Sequence, residues 1–507
     1  MHWADNFASQ VIKRDKEEYI VESGITPSGI VHIGNVREIL TQYFVYLAIK
    51  NKGKRAKFLY IWDDFDRFRK VPKGLDKSFE NFIGMPVSKV PDPWKCHNSY
   101  AEHFKSKLVE EIKELKIETN YVSATELYQN CVFSENIKIA LEKKDKIREI
   151  LNKFRKEPLP ENWLPIKIYC EKCWKDFTEV EYLGNYELKY KCICGFENKI
   201  DFRKSGIVKL KWRIDWPSRW SYFKVDFESS GKEHKSYGGS WDTSVLISRE
   251  IYGYEPPIGP MYEYIYLKGQ KEKMSSSKGN VITITDLLKI FEPSIIRYLY
   301  TQRLNKAIFI PFDLDIYNIY NEFDRCERIY FGLEEGKEED KRKYELSCIE
   351  KYEKCPNRVA FSELVLFVQI LPEEQFIGKV RELMEKRNIK LSELDVELIK
   401  ERAKRAKYWV KNYAPENVKI KLAEEINVEL TENQKEGIRE LIKILKKDIS
   451  TDELQKKIFE IAKKYGTDIF QISYSILIGK SHGPKLAYLI DAIGRDKVIT
   501  RFSKIFC

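Results

Sequence analysis

The chain lacks any apolar run approaching the roughly 20 residues that a membrane-crossing helix needs, so no membrane partner is expected. No leader is expected either. Met1-His2-Trp3-Ala4-Asp5 is polar and is followed by charges, not by an apolar stretch and a small-residue cleavage site. No internal repeat or low-complexity tract interrupts it, which sets aside solenoids and disordered arms. These absences point to a globular, cytoplasmic protein. Its 507 residues suffice for on the order of two to four domains and a sizeable core. Histidine is scarce, six in all, so two of them close together carry information.

Disulfides are not expected in the cytoplasm, so ten cysteines argue for metal. Four fall as Cys170-x-x-Cys173 and Cys192-x-Cys194, closed by Gly195, with an alternating, hairpin-like stretch 179–191 between them. That is the spacing of a knuckle-type site for structural Zn2+. A second group brings Asp92, Cys96, His97 and His103 into twelve residues, with His103 on the helix that follows the loop. It is read as a second zinc site. The other cysteines show no ligand spacing and are read as free thiols.

Charge is uneven along the chain. Residues 341–507 hold 34 Lys and Arg against 26 Asp and Glu, which is +8 of the total +11. A basic C-terminal third is the electrostatic footprint of a polyanion partner.

Two motifs carry the chemistry. Lys273-Met274-Ser275-Ser276-Ser277-Lys278-Gly279-Asn280 is hydroxyl-rich, doubly basic and nearly without apolar content. It has what a lid over a polyphosphate needs: hydroxyl donors, two ammonium groups, and backbone freedom at Gly279. The second motif is Pro27-Ser28-Gly29-Ile30-Val31-His32-Ile33-Gly34-Asn35. It follows a strand-like run at 19–23 and opens a helix-like run at 36–49, closed by Gly53, before a second strand-like run at 57–62. This strand–turn–helix–strand unit is the nucleotide-binding half of a doubly wound sheet. Gly29 and Gly34 admit a ligand close to the backbone, the helix start offers N–H groups to anions, and His32 is a phosphate donor there.

The expected architecture is α/β: a Rossmann-type, doubly wound parallel-sheet catalytic domain with a zinc-containing insertion and an all-α C-terminal domain. Residues 1–80 form the first half of the catalytic domain, and 81–205 an insertion with the zinc segments. Residues 206–270 return to the sheet. Residues 271–340 hold the KMSSS loop and connecting helices, and 341–507 show only helical periodicity. A helix over about 243–252 is expected to be capped by Asp242 or Ser240.

Together the two motifs resemble the HIGH and KMSKS signatures of class I aminoacyl-tRNA synthetases. The blocks Trp212-Arg213-Ile214-Asp215-Trp216-Pro217-Ser218-Arg219-Trp220, Gly231-Lys232-Glu233-His234, Gly238-Gly239-Ser240-Trp241-Asp242 and Trp62-Asp63-Asp64-Phe65-Asp66 extend the likeness to the archaeal-type class I lysyl-tRNA synthetases. The sequence departs from the signatures at two points: Asn35 stands where HIGH ends in His, and Ser276 where KMSKS has its second lysine, with Lys278 two positions on.

The resemblance implies ATP-dependent activation of L-lysine to lysyl-adenylate and its transfer to the 3′-terminal adenosine of tRNA(Lys), with the basic helical third binding the anticodon. Mg2+ should accompany ATP. His32, Asn35, Lys273 and Lys278 would be catalytic. ATP would meet Pro27, Gly29, Gly34, Met274, Ser275, Ser276 and Ser277 as well, with Gly238, Gly239 and Asp242 at the adenosine end. Lysine would lie against Gly24, Thr26, Trp212, Trp216 and His234. Its ammonium needs a carboxylate, because a buried ammonium without one costs several kcal/mol. Glu38, one helical turn past Gly34, is the first choice and Asp63, at a strand end, the second. The competing readings are a glutamyl or arginyl class I synthetase and a catalytically silent tRNA-binding relative.

Overall fold

A computed structural model of the chain describes residues 1–269, 281–426 and 428–506. They divide into two compact units. The first comprises Met1–Leu287, Ile296–Ile310 and Glu345–Ile349, and the second Leu288–Ile295, Pro311–Tyr344 and Glu350–Cys507.

The first unit begins with the short helix α1 (Trp3–Ile12) and the strand β1 (Glu18–Ile25). Helix α2 (Ile33–Asn51) follows and is buried on most of its surface, as an apolar helix packed on both sides must be. Gly53 ends that turn at φ +73°, where a side chain would be strained. Strand β2 (Arg55–Trp62) then pairs parallel with β1, from Glu18 opposite Arg55 to Ile25 opposite Trp62. Helix α3 (Tyr100–Glu114) leads to β3 (Asn120–Ser123), which extends the sheet beside β2. The strand Val225–Phe227 closes the other side against β1. The result is a four-stranded, all-parallel sheet in which β1 and β2 are central and end together at one edge.

Among the described residues, the expected return of residues 206–270 to this sheet is carried by the strand Val225–Phe227, with a single parallel bridge from Phe227 to Ile258. Val208–Leu210 pairs antiparallel with Ile166–Ile168, and Ile265–Leu267 pairs parallel with Ile308–Ile310. A run of three residues is too short for its own pattern to specify a partner.

The hairpin expected between the cysteine pairs is present. Thr178–Gly184 and Glu187–Cys192 pair antiparallel around a turn where Gly184 and Asn185 both have positive φ. A third strand, Glu197–Asp201, adds to Glu187–Cys192. The helix expected at 243–252 runs from Ser240 to Glu250, and its N-cap is Gly239, not Asp242 or Ser240. Asp242 lies one turn inside and accepts a hydrogen bond from the Gly238 N–H at 3.0 Å, so it serves the helix start from within.

The second unit contains helices and no strand among its described residues. The helix Glu393–Asn412 is opened by a reciprocal Ser392–Asp395 capping box and carries Trp409, which is fully buried with Phe361 and Tyr320. Arg402 is buried too, and its guanidinium meets Glu292 at 2.6 Å and both oxygens of Asp324 at 2.7 and 2.8 Å. A bidentate pair of this kind makes a buried charge tolerable. Among the described residues, no helix of either unit is long and apolar enough to cross a membrane.

Candidate active site

The parallel strands end at a cleft of about 660 Å3 in the first unit. Ligands of doubly wound sheets bind at this edge because strand ends and helix starts leave backbone groups there. Gly24 is the last-but-one residue of β1, and a Cβ on it would lie 2.7 Å from the Ile61 carbonyl oxygen. No larger side chain fits between the two central strands.

At the start of α2, His32 is the N-cap. Its Nδ1 accepts from the Gly34 N–H at 3.1 Å, and the Asn35 Oδ1 accepts from the His32 N–H at 3.2 Å. This is a capping box built from histidine and asparagine. Because Nδ1 accepts, a neutral His32 ring carries its proton on Nε2. The cap engages the oxygen of Asn35, which leaves the amide N–H2 as the donor that side chain offers an anion. A Cβ on Gly34 would lie 2.9 Å from the His32 ring. Asn35 in place of histidine is thus accounted for locally: its short amide closes the box.

Of the sequence-derived site residues, Gly24, Thr26, Gly29, His32, Gly34, Asn35, Glu38, Asp63, Trp212, Trp216 and His234 all line the cleft. Pro27, Gly238, Gly239 and Asp242 do not. Lys273, Met274, Ser275, Ser276, Ser277 and Lys278 lie outside the described residues.

The two candidate ammonium acceptors differ sharply. Glu38 accepts from the Tyr262 hydroxyl at 2.9 Å and from the Ser23 hydroxyl at 3.4 Å. Burial, and next the neighbouring Glu228, push its carboxyl up to about 8. Asp63 instead receives the Lys209 ammonium at 2.6 Å, with the Arg219 guanidinium at 3.9 Å. Burial opposes its charge, but these cations outweigh it and hold the carboxyl at about 2. Its neighbours are also committed: Asp64 bonds Lys105, Ser123 and the Thr125 N–H, and Asp66 pairs with Arg69 at 3.3 Å.

Sequence reasoning missed three residues here. Tyr262 comes from a two-residue strand, and Glu22 and Glu228 are buried acids on or just after strands of the main sheet. Glu228 accepts from the indole N–H groups of Trp216 (2.9 Å) and Trp220. Burial, despite those bonds, raises it to about 7. Burial and then Glu228 raise Glu22 well above the ordinary carboxylate range, and among the described residues its Oε2 meets no hydrogen-bond partner. The available signal was a glutamate inside the apolar strand run Tyr19-Ile20-Val21-Glu22-Ser23. Trp212 and Trp216 stack at 5.0 Å beside these acids, and the His234 ring lies 5.6 Å from Trp216. The mouth carries Arg67, Arg69 and Lys70. The cleft is therefore acidic and aromatic inside and basic at its rim, which suits a cationic small molecule beside a polyanion.

Two metal-ligand clusters lie in the insertion. In each, one ligand atom per residue falls within 4.8 Å of all the others: Cys170, Cys173, Cys192 and Cys194 in one, and Asp92, Cys96, His97 and His103 in the other. The sulfurs of Cys170 and Cys194 are 3.7 Å apart, and those of Cys173 and Cys192 are 3.6 Å apart. The Cys96 sulfur is 3.1 Å from His97 Nδ1 and 3.3 Å from His103 Nδ1. Either cluster could hold a metal.

The family described as tRNA synthetases class I (K) matches residues 1–350, and an anticodon-binding domain matches residues 366–506. The chain is 46% identical to the lysine–tRNA ligase of Pyrococcus horikoshii, with 99% of each chain covered. It is 41% identical to that of Methanocaldococcus jannaschii, again with 99% of each covered. Against that of Borrelia garinii subspecies bavariensis it is 39% identical, over 99% of this chain and 98% of the relative. With the capped helix start and the acidic, aromatic cleft already in place, these matches make the chain a member of the class I (K) tRNA synthetases.

Proposed function

We infer that the chain is a lysine–tRNA ligase. It activates L-lysine with ATP to lysyl-adenylate and pyrophosphate, then transfers the lysyl group to a ribose hydroxyl of the 3′-terminal adenosine of tRNA(Lys), releasing AMP. The observation that carries this reading is the placement of uncompensated acids, Glu38 foremost, beside the helix start formed by His32, Gly34 and Asn35.

In the first step a carboxylate oxygen of lysine attacks the α-phosphorus of ATP, and the bond to pyrophosphate breaks. No side chain needs to form a covalent bond. The protein's part is positioning and charge stabilisation. His32 Nε2–H and the Asn35 amide donate to phosphate, the α2 N-terminus adds its partial positive charge, and Lys273 and Lys278 supply ammonium groups from the Lys273–Lys278 lid segment. Gly29 and Gly34 keep the approach open, and Pro27, Met274, Ser275, Ser276 and Ser277 border the nucleotide. Gly238, Gly239 and Asp242 serve the adenosine end. Mg2+ travelling with ATP offsets phosphate charge. Lysine lies along Trp212, Trp216 and His234, with Gly24 and Thr26 at its α-carbon end and its ε-ammonium on Glu38 and Tyr262. Asp63, already saturated by Lys209, is the scaffold and not the acceptor.

A tetrahedral zinc with bonds of about 2.3 Å to sulfur would set neighbouring sulfurs about 3.8 Å apart, close to the spacing in the four-cysteine cluster. Both clusters offer four protein ligands and leave no position open for water, so both zincs are structural. The helical unit, through its basic excess, binds tRNA, and the enzyme works in the cytosol. A glutamyl enzyme is disfavoured, since glutamate would face Glu22, Glu38 and Glu228.

The test is charging of tRNA(Lys) across amino acids, with pyrophosphate exchange run with and without tRNA. Lysine alone should be charged, and His32→Ala and Lys273→Ala should each lose roughly 10²-fold or more, as for one transition-state contact of about 3 kcal/mol. Wild-type rates in both variants would remove the reading. Metal analysis should find two zincs per chain, and Cys96→Ser with His97→Ala should find one.

A further inference from the structure

Tyr237 is 89% exposed. The turn that carries it is nevertheless pinned. Arg213 donates to the carbonyls of Gly238 and Gly239 at 3.1 Å each, and Asp242 accepts the Gly238 N–H. The Gly239 N–H reaches Ser236 O at 2.7 Å, and the Trp241 N–H reaches His234 O at 3.1 Å. Gly238 has φ +69°, a backbone that glycine adopts without strain. The turn is thus built to hold one aromatic ring in water, and burial does not explain that ring.

The ring meets Phe154 edge-on, at 5.6 Å and 71°. Phe154 is followed by Arg155 and Lys156, both exposed. Three residues before Tyr237, on the same turn, His234 lines the catalytic cleft, whereas Tyr237 does not. The outcome is an aromatic face with cations beside it, at the rim of the cleft and outside it. Successive unpaired bases bind such surfaces by stacking while lysine and arginine meet the phosphates.

On the lysine–tRNA ligase reading, the acceptor hydroxyl must reach the cleft at the end of a single strand. We propose that Tyr237, backed by Phe154 and flanked by Arg155 and Lys156, is the platform on which unpaired bases of the tRNA 3′ end stack as they enter the cleft. The adenine of ATP is the competing occupant, since Gly238 and Gly239 beside the ring are assigned to the adenosine end, and the ATP affinity of the variant separates the two.

The experiment uses the full-length chain with Tyr237→Ala and Tyr237→Phe. Binding is measured to intact tRNA(Lys) and to tRNA(Lys) lacking its three terminal nucleotides, together with ATP affinity and charging. Tyr237→Ala should weaken intact tRNA roughly tenfold, as for one lost base stack. It should leave the truncated tRNA and ATP unchanged, and Tyr237→Phe should restore binding. Equal weakening of both tRNAs, no weakening of either, or a fall in ATP affinity would overturn the proposal. If the wild type charges tRNA(Lys) and Tyr237→Ala charges it equally well, the platform fails and the ligase reading stands. If the wild type charges no lysine, the ligase reading itself has failed and the platform falls with it.

Discussion

Glu38 and Asp63 are both carboxylates of one cleft, yet their surroundings drive them in opposite directions. Asp63 has Lys209 at 2.6 Å and is held at about 2; the partners of Glu38 are uncharged, the Tyr262 and Ser23 hydroxyls and the Gly24 backbone, and burial pushes it to about 8. Arg402 of the helical unit behaves as Asp63 does, with its charge met inside the fold by Glu292 and Asp324. Charges that folding has already matched hold the scaffold. On the proposed reading, an acid that folding leaves without a cation is where a cationic substrate completes the match.

The largest effect separating the two acids should be on stability. Asp63→Asn removes the shortest of the carboxylate contacts of the buried Lys209 ammonium, leaving Asp215 at 3.3 Å and Asp66 at 3.8 Å, and should cost up to about 3 kcal/mol, read as a lower thermal midpoint or as loss of soluble protein. The folded fraction should bind lysine nearly as the wild type does. Glu38→Gln should not be destabilised, but it should raise the lysine KM about 100-fold or more with the ATP KM unchanged, as for a lost buried charge pair of about 3 kcal/mol. If the two variants exchange these phenotypes, the assignment moves to the strand end.

The pH signatures should also oppose each other. The folded value of Asp63 lies below its unfolded value, so the stability it contributes is present above about 4 and is lost as pH falls through about 2. Glu38 is raised, so its folded form holds a proton that the unfolded chain releases, and ligand-free stability declines as pH rises from about 4.5 through about 8. Lysine needs the carboxylate, so its KM should fall by up to about tenfold per unit as pH rises towards 8. Glu38→Gln should flatten both trends. The smallest effect is expected from Tyr262→Phe. Loss of one hydrogen bond of about 1 kcal/mol should raise the lysine KM roughly fivefold, with stability little changed.

Much of this was legible in the sequence. The β1–turn–α2–β2 unit was plain because its periods change from strand to helix and back around a glycine turn, and the metal clusters because their ligands are local. The place of Glu38 in the cleft was legible for the same local reason: it sits one turn past Gly34. Lys209 was not, because it reaches Asp63 from 146 residues away, and nothing in the strand-end pattern Trp62-Asp63-Asp64 records a distant cation. Tyr262 was hidden by the shortness of its strand, and Glu228 because its charge state is set first by a burial that only the fold creates, against two indole N–H groups brought to it. The cap at Gly239 was missed because Asp242, with the right chemistry, works from inside the helix. Local chemistry can be read along the chain, whereas compensation of charge becomes visible only across the sheet.

The central claim is that lysine supplies the cation Glu38 lacks. It is tested most directly by titrating lysine calorimetrically at pH 7 in buffers of different ionisation enthalpy, which counts the protons exchanged on binding. The wild type should release about one proton per lysine bound, because the ammonium displaces the proton held by Glu38, and Glu38→Gln should bind weakly and release none. Tight lysine binding with no proton release in the wild type, or an unchanged proton count in Glu38→Gln, would contradict the account.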